Sequence, residues 1–207
     1  MRYTYDSRNR ITQQTLTSVK DDGLSNPTHI QYNARGDVIS TTDGNGLRST
    51  YVYSVHREHT QQTNPANETI RYHYDSRGNL VQVIDAENHL TRYTYDNNNN
   101  TLSETRPHKN TAALIQQGYT YDARNQLTQK TDYNGNRAHY IWDNDQRLTQ
   151  RTDTQAGAVT PERSVAYTYD NTDLLTRYQD NHGQSVYQYD AVASHFAIVS
   201  FPKLSVV

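Results

Sequence analysis

Aromatic residues recur along this chain in pairs two positions apart, and each pair is followed at once by a polar turn-former. The full pattern stands at Tyr3/Tyr5/Asp6, Tyr72/Tyr74/Asp75, Tyr93/Tyr95/Asp96, Tyr119/Tyr121/Asp122, Tyr167/Tyr169/Asp170 and Tyr187/Tyr189/Asp190. Weaker copies stand at Ile30/Tyr32/Asn33, Tyr51/Tyr53/Ser54 and Tyr140/Trp142/Asp143. Residues two apart share one face of a β-strand, so each copy predicts a strand with an aromatic face. The Asp that follows ends the strand by hydrogen-bonding local backbone.

A second strand follows in each unit. Three residues past the Asp position come Asn9, Gly36, Gly78, Asn99, Asn125 and Asp173, types that tolerate the left-handed conformation of a bulged hairpin. Five past it come Ile11, Val38, Leu80, Leu127, Leu148 and Leu175; nine past it come Thr15, Thr42, Thr63, Ile84, Thr105, Thr131 and Thr152. Positions five, seven and nine have equal parity, which predicts one inward face on this strand. Asp43, Asn64, Asp85, Asp132, Asp153 and Asp180 then close it, with turn signals such as Asp43-Gly44-Asn45-Gly46.

Successive Asp positions lie 27, 21, 21, 21, 26, 21, 27 and 20 residues apart. A base unit of 21 residues with short insertions accounts for this spacing, and fixed periods of this size signal a repeat architecture. The insertions fall near 19–26, 106–117 and 154–163 and read as longer hairpin loops, with 111–117 a candidate helical turn. Nine copies hold 16 of the 18 tyrosines. A feature used nine times is architecture, because a catalytic site is needed once.

Composition sharpens this reading. Only 33% of residues are hydrophobic and mean hydropathy is -1.03, values usual for disorder. A net charge of only -2 and the concentration of apolar surface in tyrosines, each able to bury roughly 150–250 Å², argue for a repeated aromatic core instead. Interspersed charge leaves no footprint for nucleic acid, and no apolar run is long enough to span a bilayer as a helix. The chain opens directly on a repeat, without the n-region or h-region of a signal peptide. Cysteine is absent, which removes disulfides and thiolate chemistry.

The segment Tyr74-Asp75-Ser76-Arg77-Gly78-Asn79-Leu80, repeated in register over residues 1–190, resembles the YD repeat of Rhs proteins. Similar repeats occur in the BC components of insecticidal Tc toxins, in cell-wall-associated toxins of Gram-positive bacteria and in teneurins. The resemblance implies an all-β chain of antiparallel YD-repeat β-hairpins in one long curved sheet, a partial, open Rhs-type β-cocoon. It also implies a secreted or cell-surface bacterial setting. In that family the repeats enclose a C-terminal toxin, so the implied partners are further YD-repeat segments or an enclosed toxin domain. The family's self-cleaving segment ends in Asp-Pro, and no Asp-Pro occurs here. Nine units make a patch of wall, which points to a truncated or orphan piece.

Two domains are expected: the array at 1–190 and a non-repeat apolar tail at 191–207. The tail has eleven hydrophobic residues in seventeen, holds both phenylalanines and places His195 where a Leu is due. It reads either as an element docked on the sheet or as a gene remnant. The break in mid-unit, which leaves the last strand without its partner, favours the remnant.

Candidate chemistry is sparse. The nine histidines are scattered, and His56/His59 lack the His-Glu-x-x-His zinc pattern. The Asp-rich turns lack the closing Glu of a calcium loop. No nucleophile elbow or phosphate loop is present, and carboxylates recur in every unit. The expectation is a non-enzymatic shell segment without cofactor or metal. The alternative is a module for cell-surface glycans, with tyrosines stacking on sugars beside Arg71, Arg92, Asn125 and Gln129.

Overall fold

The computed structural model describes residues 2–15, 27–111 and 113–189, together with the backbone of 196–202. The expectations placed on 19–26, Asp190 and His195 lie outside the described residues. The chain divides into two compact units, 1–92 and 93–207. Among the described residues every regular element is a β-strand.

The first unit is an antiparallel meander in which each strand pairs with the next. Its strands are β1 (Arg2–Tyr5), β2 (Ile11–Thr15), β3 (Thr28–Tyr32), β4 (Val38–Thr42), β5 (Arg48–Tyr53), β6 (His59–Thr63), β7 (Thr69–Tyr74) and β8 (Leu80–Ile84). β9 (Leu90–Tyr95) contains the division and pairs with β8 through Leu90, Thr91 and Arg92. The second unit repeats the plan with β10 (Thr101–Pro107), β11 (Leu114–Tyr121), β12 (Leu127–Thr131), β13 (Arg137–Trp142) and β14 (Leu148–Thr154). It continues through β15 (Arg163–Tyr169), β16 (Leu175–Gln179), β17 (Gly183–Tyr189) and β18 (Phe196–Pro202). The predicted meander of two strands per unit is therefore what forms.

Loops explain why the strands stop where they do. In eight loops the side-chain oxygen of the first residue accepts backbone N–H groups two and four positions on; Asp75 takes them from Arg77 and Asn79, both at 2.9 Å. Asp6, Asn33, Ser54, Asp96, Asp122, Asp143 and Asp170 do the same. The fourth residue of each loop has positive φ, in all eight copies rather than the predicted six, including Arg57 at 69° and Gln146 at 66°. Loop closure forces the conformation there even on side chains that disfavour it.

The opposite ends of the hairpins use the same device. Asp43, Asn64, Asp85 and Asp132 each accept the N–H groups two and four positions on. Asp153 does not close a strand as expected; it lies inside β14 opposite Arg163 and Ala138.

Three further expectations are corrected. Residues 114–117, read as a candidate helical turn, belong to β11, which pairs Pro107 with Leu114. The insertion at 106–117 thus lengthens two strands instead of adding only loop. β18 pairs with β17 from Gly183↔Pro202 to Tyr189↔Phe196, so the last aromatic strand has a partner.

The third correction concerns faces. Seven hairpins carry a register shift at the second aromatic, as where Thr120 opposes Gln129 but Tyr121 opposes Leu127. The extra residue flips parity. Positions five and eight past the Asp therefore share the tyrosine face, while six, seven and nine lie opposite. Side-chain contacts agree: Thr120 Oγ1 meets Thr128 Oγ1 at 2.9 Å, and Thr94 Oγ1 meets Ser103 Oγ at 2.6 Å, both away from the tyrosines. Equal parity failed because it assumed an unbroken strand.

Candidate functional site

The predicted motif residues assemble into the tyrosine face. In β7 the exposures alternate, with Tyr72 and Tyr74 half-buried and Arg71 and His73 exposed. The same alternation holds in β3, β9, β13 and β15. Packing stays shallow, because Val165 is the one fully buried hydrophobic side chain among the described residues.

The second aromatic of a unit does more than pack. Tyr32 donates its hydroxyl to Ile11 O, Tyr74 to His59 O, Tyr169 to Leu148 O and Tyr189 to Leu175 O, at 2.9–3.0 Å. Trp142 substitutes its indole N–H, bonding Leu127 O at 2.8 Å. Each acceptor is the first residue of the preceding unit's second strand, just beyond the last pairing between the two strands, as with Gln61↔Arg71 for His59. The ring hydroxyl thus supplies the bond that the ladder has lost. Burial pushes the phenols of Tyr74 and Tyr169 above their ordinary range, which keeps them neutral donors. Tyr74→Phe is expected to cost about 1 kcal/mol in a urea titration, with the fold unchanged by circular dichroism.

Arginines at the fifth loop position join successive units. Arg147 bonds Asp143 Oδ2 at 2.8 Å, reaches Asp170 O at 3.0 Å and Asp173 Oδ1 at 2.8 Å, and lies 5.2 Å from the Tyr169 ring centroid. Arg10 repeats this toward Asp6, Asn33 O and the Tyr32 ring. Its hydrogen bond brings the Asp6 carboxyl down to about 2. Where the first loop residue is not acidic, the fifth is: Asn33 bonds Asp37, Ser54 bonds Glu58 and Asn64 bonds Glu68. Sequence reasoning missed this swap, although the spacing of four was visible.

His59 occupies a position held in six other units by Ile, Val or Leu and in one by Thr101. Its ring centroid lies 5.7, 5.4 and 5.1 Å from those of Tyr51, Tyr53 and Tyr72, and its Nε2 is buried with no hydrogen-bond partner. His59→Leu is expected to stabilise the first unit by about 1 kcal/mol, because an orphaned polar atom is replaced by apolar packing. Thermal unfolding at neutral pH checks this.

The second unit carries a polar cluster on this face. Glu104 accepts Gln117 Nε2 at 2.7 Å, Arg106 lies 4.1 Å from the Tyr133 ring centroid and Lys130 5.8 Å from that of Tyr119. Burial and then Glu104 push the Tyr119 and Tyr133 phenols up. The polar residues named as neighbours of a sugar stacked on the tyrosines are elsewhere. Arg71 and Arg92 stand on the opposite, exposed face, Gln129 points there with Thr131, and Asn125 sits in a loop bonded to Asn98 and Asn100. Among the described residues no group of three His, Cys, Asp or Glu side chains is placed to hold a metal ion.

The sequence matches the teneurin YD-shell family over residues 1–151 and again over 54–196. No curated protein sequence matches it. Among solved structures, the TcdB2-TccC3 crystal structure superposes with a TM-score of 0.57 at 17% identity, covering 88% of this chain and 10% of that one. TcdB2-TccC3 without its hypervariable C-terminal region gives 0.35 at 14% identity, over 96% and 15% of the two chains. A porin-like protein from Bacteroides uniformis gives 0.33 at 16% identity, over 96% and 86%. The first of these supports the fold alone, and this chain spans about a tenth of its length. Together with the repeated aromatic-Asp hairpin, the family match shows that the chain belongs to the teneurin YD-shell family of Rhs/YD-repeat proteins.

Proposed function

We propose that the chain is a non-enzymatic stretch of β-shell wall that, with further YD-repeat segments, encloses a polypeptide cargo such as a toxin domain. One observation carries this: the same loop and the same aromatic-to-carbonyl bond recur from unit to unit, so the residues with chemistry are spent on joining neighbours. A two-strand unit cannot bury its aromatic face alone, whereas stacked units share one. The match to the teneurin YD-shell family supports the reading.

A photo-crosslinking residue at position 140, on the tyrosine face, and another at 141, on the opposite face, test it in the full-length protein from its source. A wall predicts that one face captures peptide from an enclosed segment and the other does not. Equal capture at both positions, or none from either, would sink the proposal.

A further inference from the structure

Position eight past the Asp lies on the tyrosine face of each second strand. In the eight copies before Asp190, only that of Asp170 has an aromatic residue there, Tyr178. Tyr178 stands directly opposite Tyr167 in the β15–β16 ladder, where facing side chains are about 4.5–5.5 Å apart at Cβ. The two ring centroids lie 5.8 Å apart with the planes at 67°, so the edge of one ring meets the other. Both residues are half-buried, which restrains the rings and still leaves them within reach of a small oxidant.

The hydroxyl of Tyr178 is held by two charged groups. It donates to Asp180 Oδ2 at 3.0 Å and accepts from Arg163 Nη2 at 3.1 Å. Tyr32, Tyr74, Tyr169 and Tyr189 donate instead to neutral main-chain carbonyls. The N–H of His182, then the Tyr178 hydroxyl, hold the Asp180 carboxyl below its ordinary range, so it stands ionised. Removing an electron from a phenol makes its hydroxyl strongly acidic, and a carboxylate already in hydrogen-bond contact takes the proton as it leaves. Ring packing explains the pair of tyrosines but not the base placed on one of them.

Cysteine is absent, so tyrosine is the residue through which an oxidant can join two strands of this chain. We propose that Tyr167 and Tyr178 form a site of oxidative coupling, where a peroxidase-type one-electron oxidant makes a covalent dityrosine staple between β15 and β16. Each phenol loses one electron and one proton, Tyr178 through Asp180 and Tyr167 to solvent. The two phenoxyl radicals join at ortho ring carbons, and the hydrogens on those carbons leave them as both rings return to phenols. The two electrons and two protons given up reduce one hydrogen peroxide to two waters. The staple lies within one unit and is independent of whether the wall encloses a cargo.

Brief treatment of the purified chain with a peroxidase and hydrogen peroxide tests this, read by dityrosine fluorescence and by mass spectrometry of tryptic peptides. The expected product is a monomer in which peptides 164–177 and 178–203 are joined with loss of two hydrogens, several-fold more abundant than any other tyrosine pair. Tyr167→Phe and Tyr178→Phe should each abolish it, and Tyr169→Phe should leave it. Asp180→Asn, which keeps a hydrogen-bond acceptor for the loop and removes the base, should slow the coupling several-fold with circular dichroism unchanged. Should Asp180→Asn fail to fold, the unsubstituted chain unfolded in urea takes its place, and there the preference for this pair should vanish. No such product, a product no more abundant than other pairs or found only between molecules, a rate indifferent to Asp180→Asn, or a preference that survives unfolding would overturn the assignment.

Discussion

Trp142→Ala is expected to destabilise the second unit by about 3 kcal/mol, while Trp142→Phe costs about 1 kcal/mol. Both variants lose the indole N–H bond to Leu127 O at 2.8 Å. Only the alanine also removes the ring that lies on the tyrosine face opposite Leu148, where the register shift brings the two together. The difference between the variants therefore separates packing from the hydrogen bond. Denaturant unfolding followed by circular dichroism reads both. Equal losses would show that the bond carries the whole effect.

Acid should unfold the array over a low and predictable window. Asp6 has its carboxyl at about 2, and those of Asp37, Asp75, Asp85, Asp132, Asp143, Asp170 and Asp180 are all lowered from 3.8. Hydrogen bonds within the loops are the cause. For Asp85 and Asp132 burial pulls the other way and is outweighed. A carboxylate lower in the folded than in the unfolded chain stabilises above its unfolded value, and that stability drains as pH falls through the folded value. The denaturation midpoint should thus be flat from about pH 5 to pH 8 and drop steeply below about pH 4. A decline that begins near pH 6.5 would place control with the histidines instead.

The strands and the left-handed loop positions were legible because each rests on local chemistry. Tyr-x-Tyr gives a face, and Asn or Gly three past the Asp gives positive φ. What escaped depends on events between strands. The bulge opposite the second aromatic reverses the parity that placed Thr15 and Thr42 inside, and no single strand carries that information. Arg57 and Gln146 take positive φ because their loops close around Ser54 and Asp143. Of the candidate site, Tyr140 was visible as a motif member. The longer β14–β15 hairpin beside it showed in the spacing only as an insertion.

The bonds from Tyr32, Tyr74, Trp142, Tyr169 and Tyr189 end on a main-chain carbonyl, an atom every amino acid presents. The residue that offers it can be Ile, His or Leu without altering the joint. Units built this way are interchangeable parts. A 21-residue block excised between equivalent positions of two such units brings a donor to a carbonyl of the same placement, and the joint still closes.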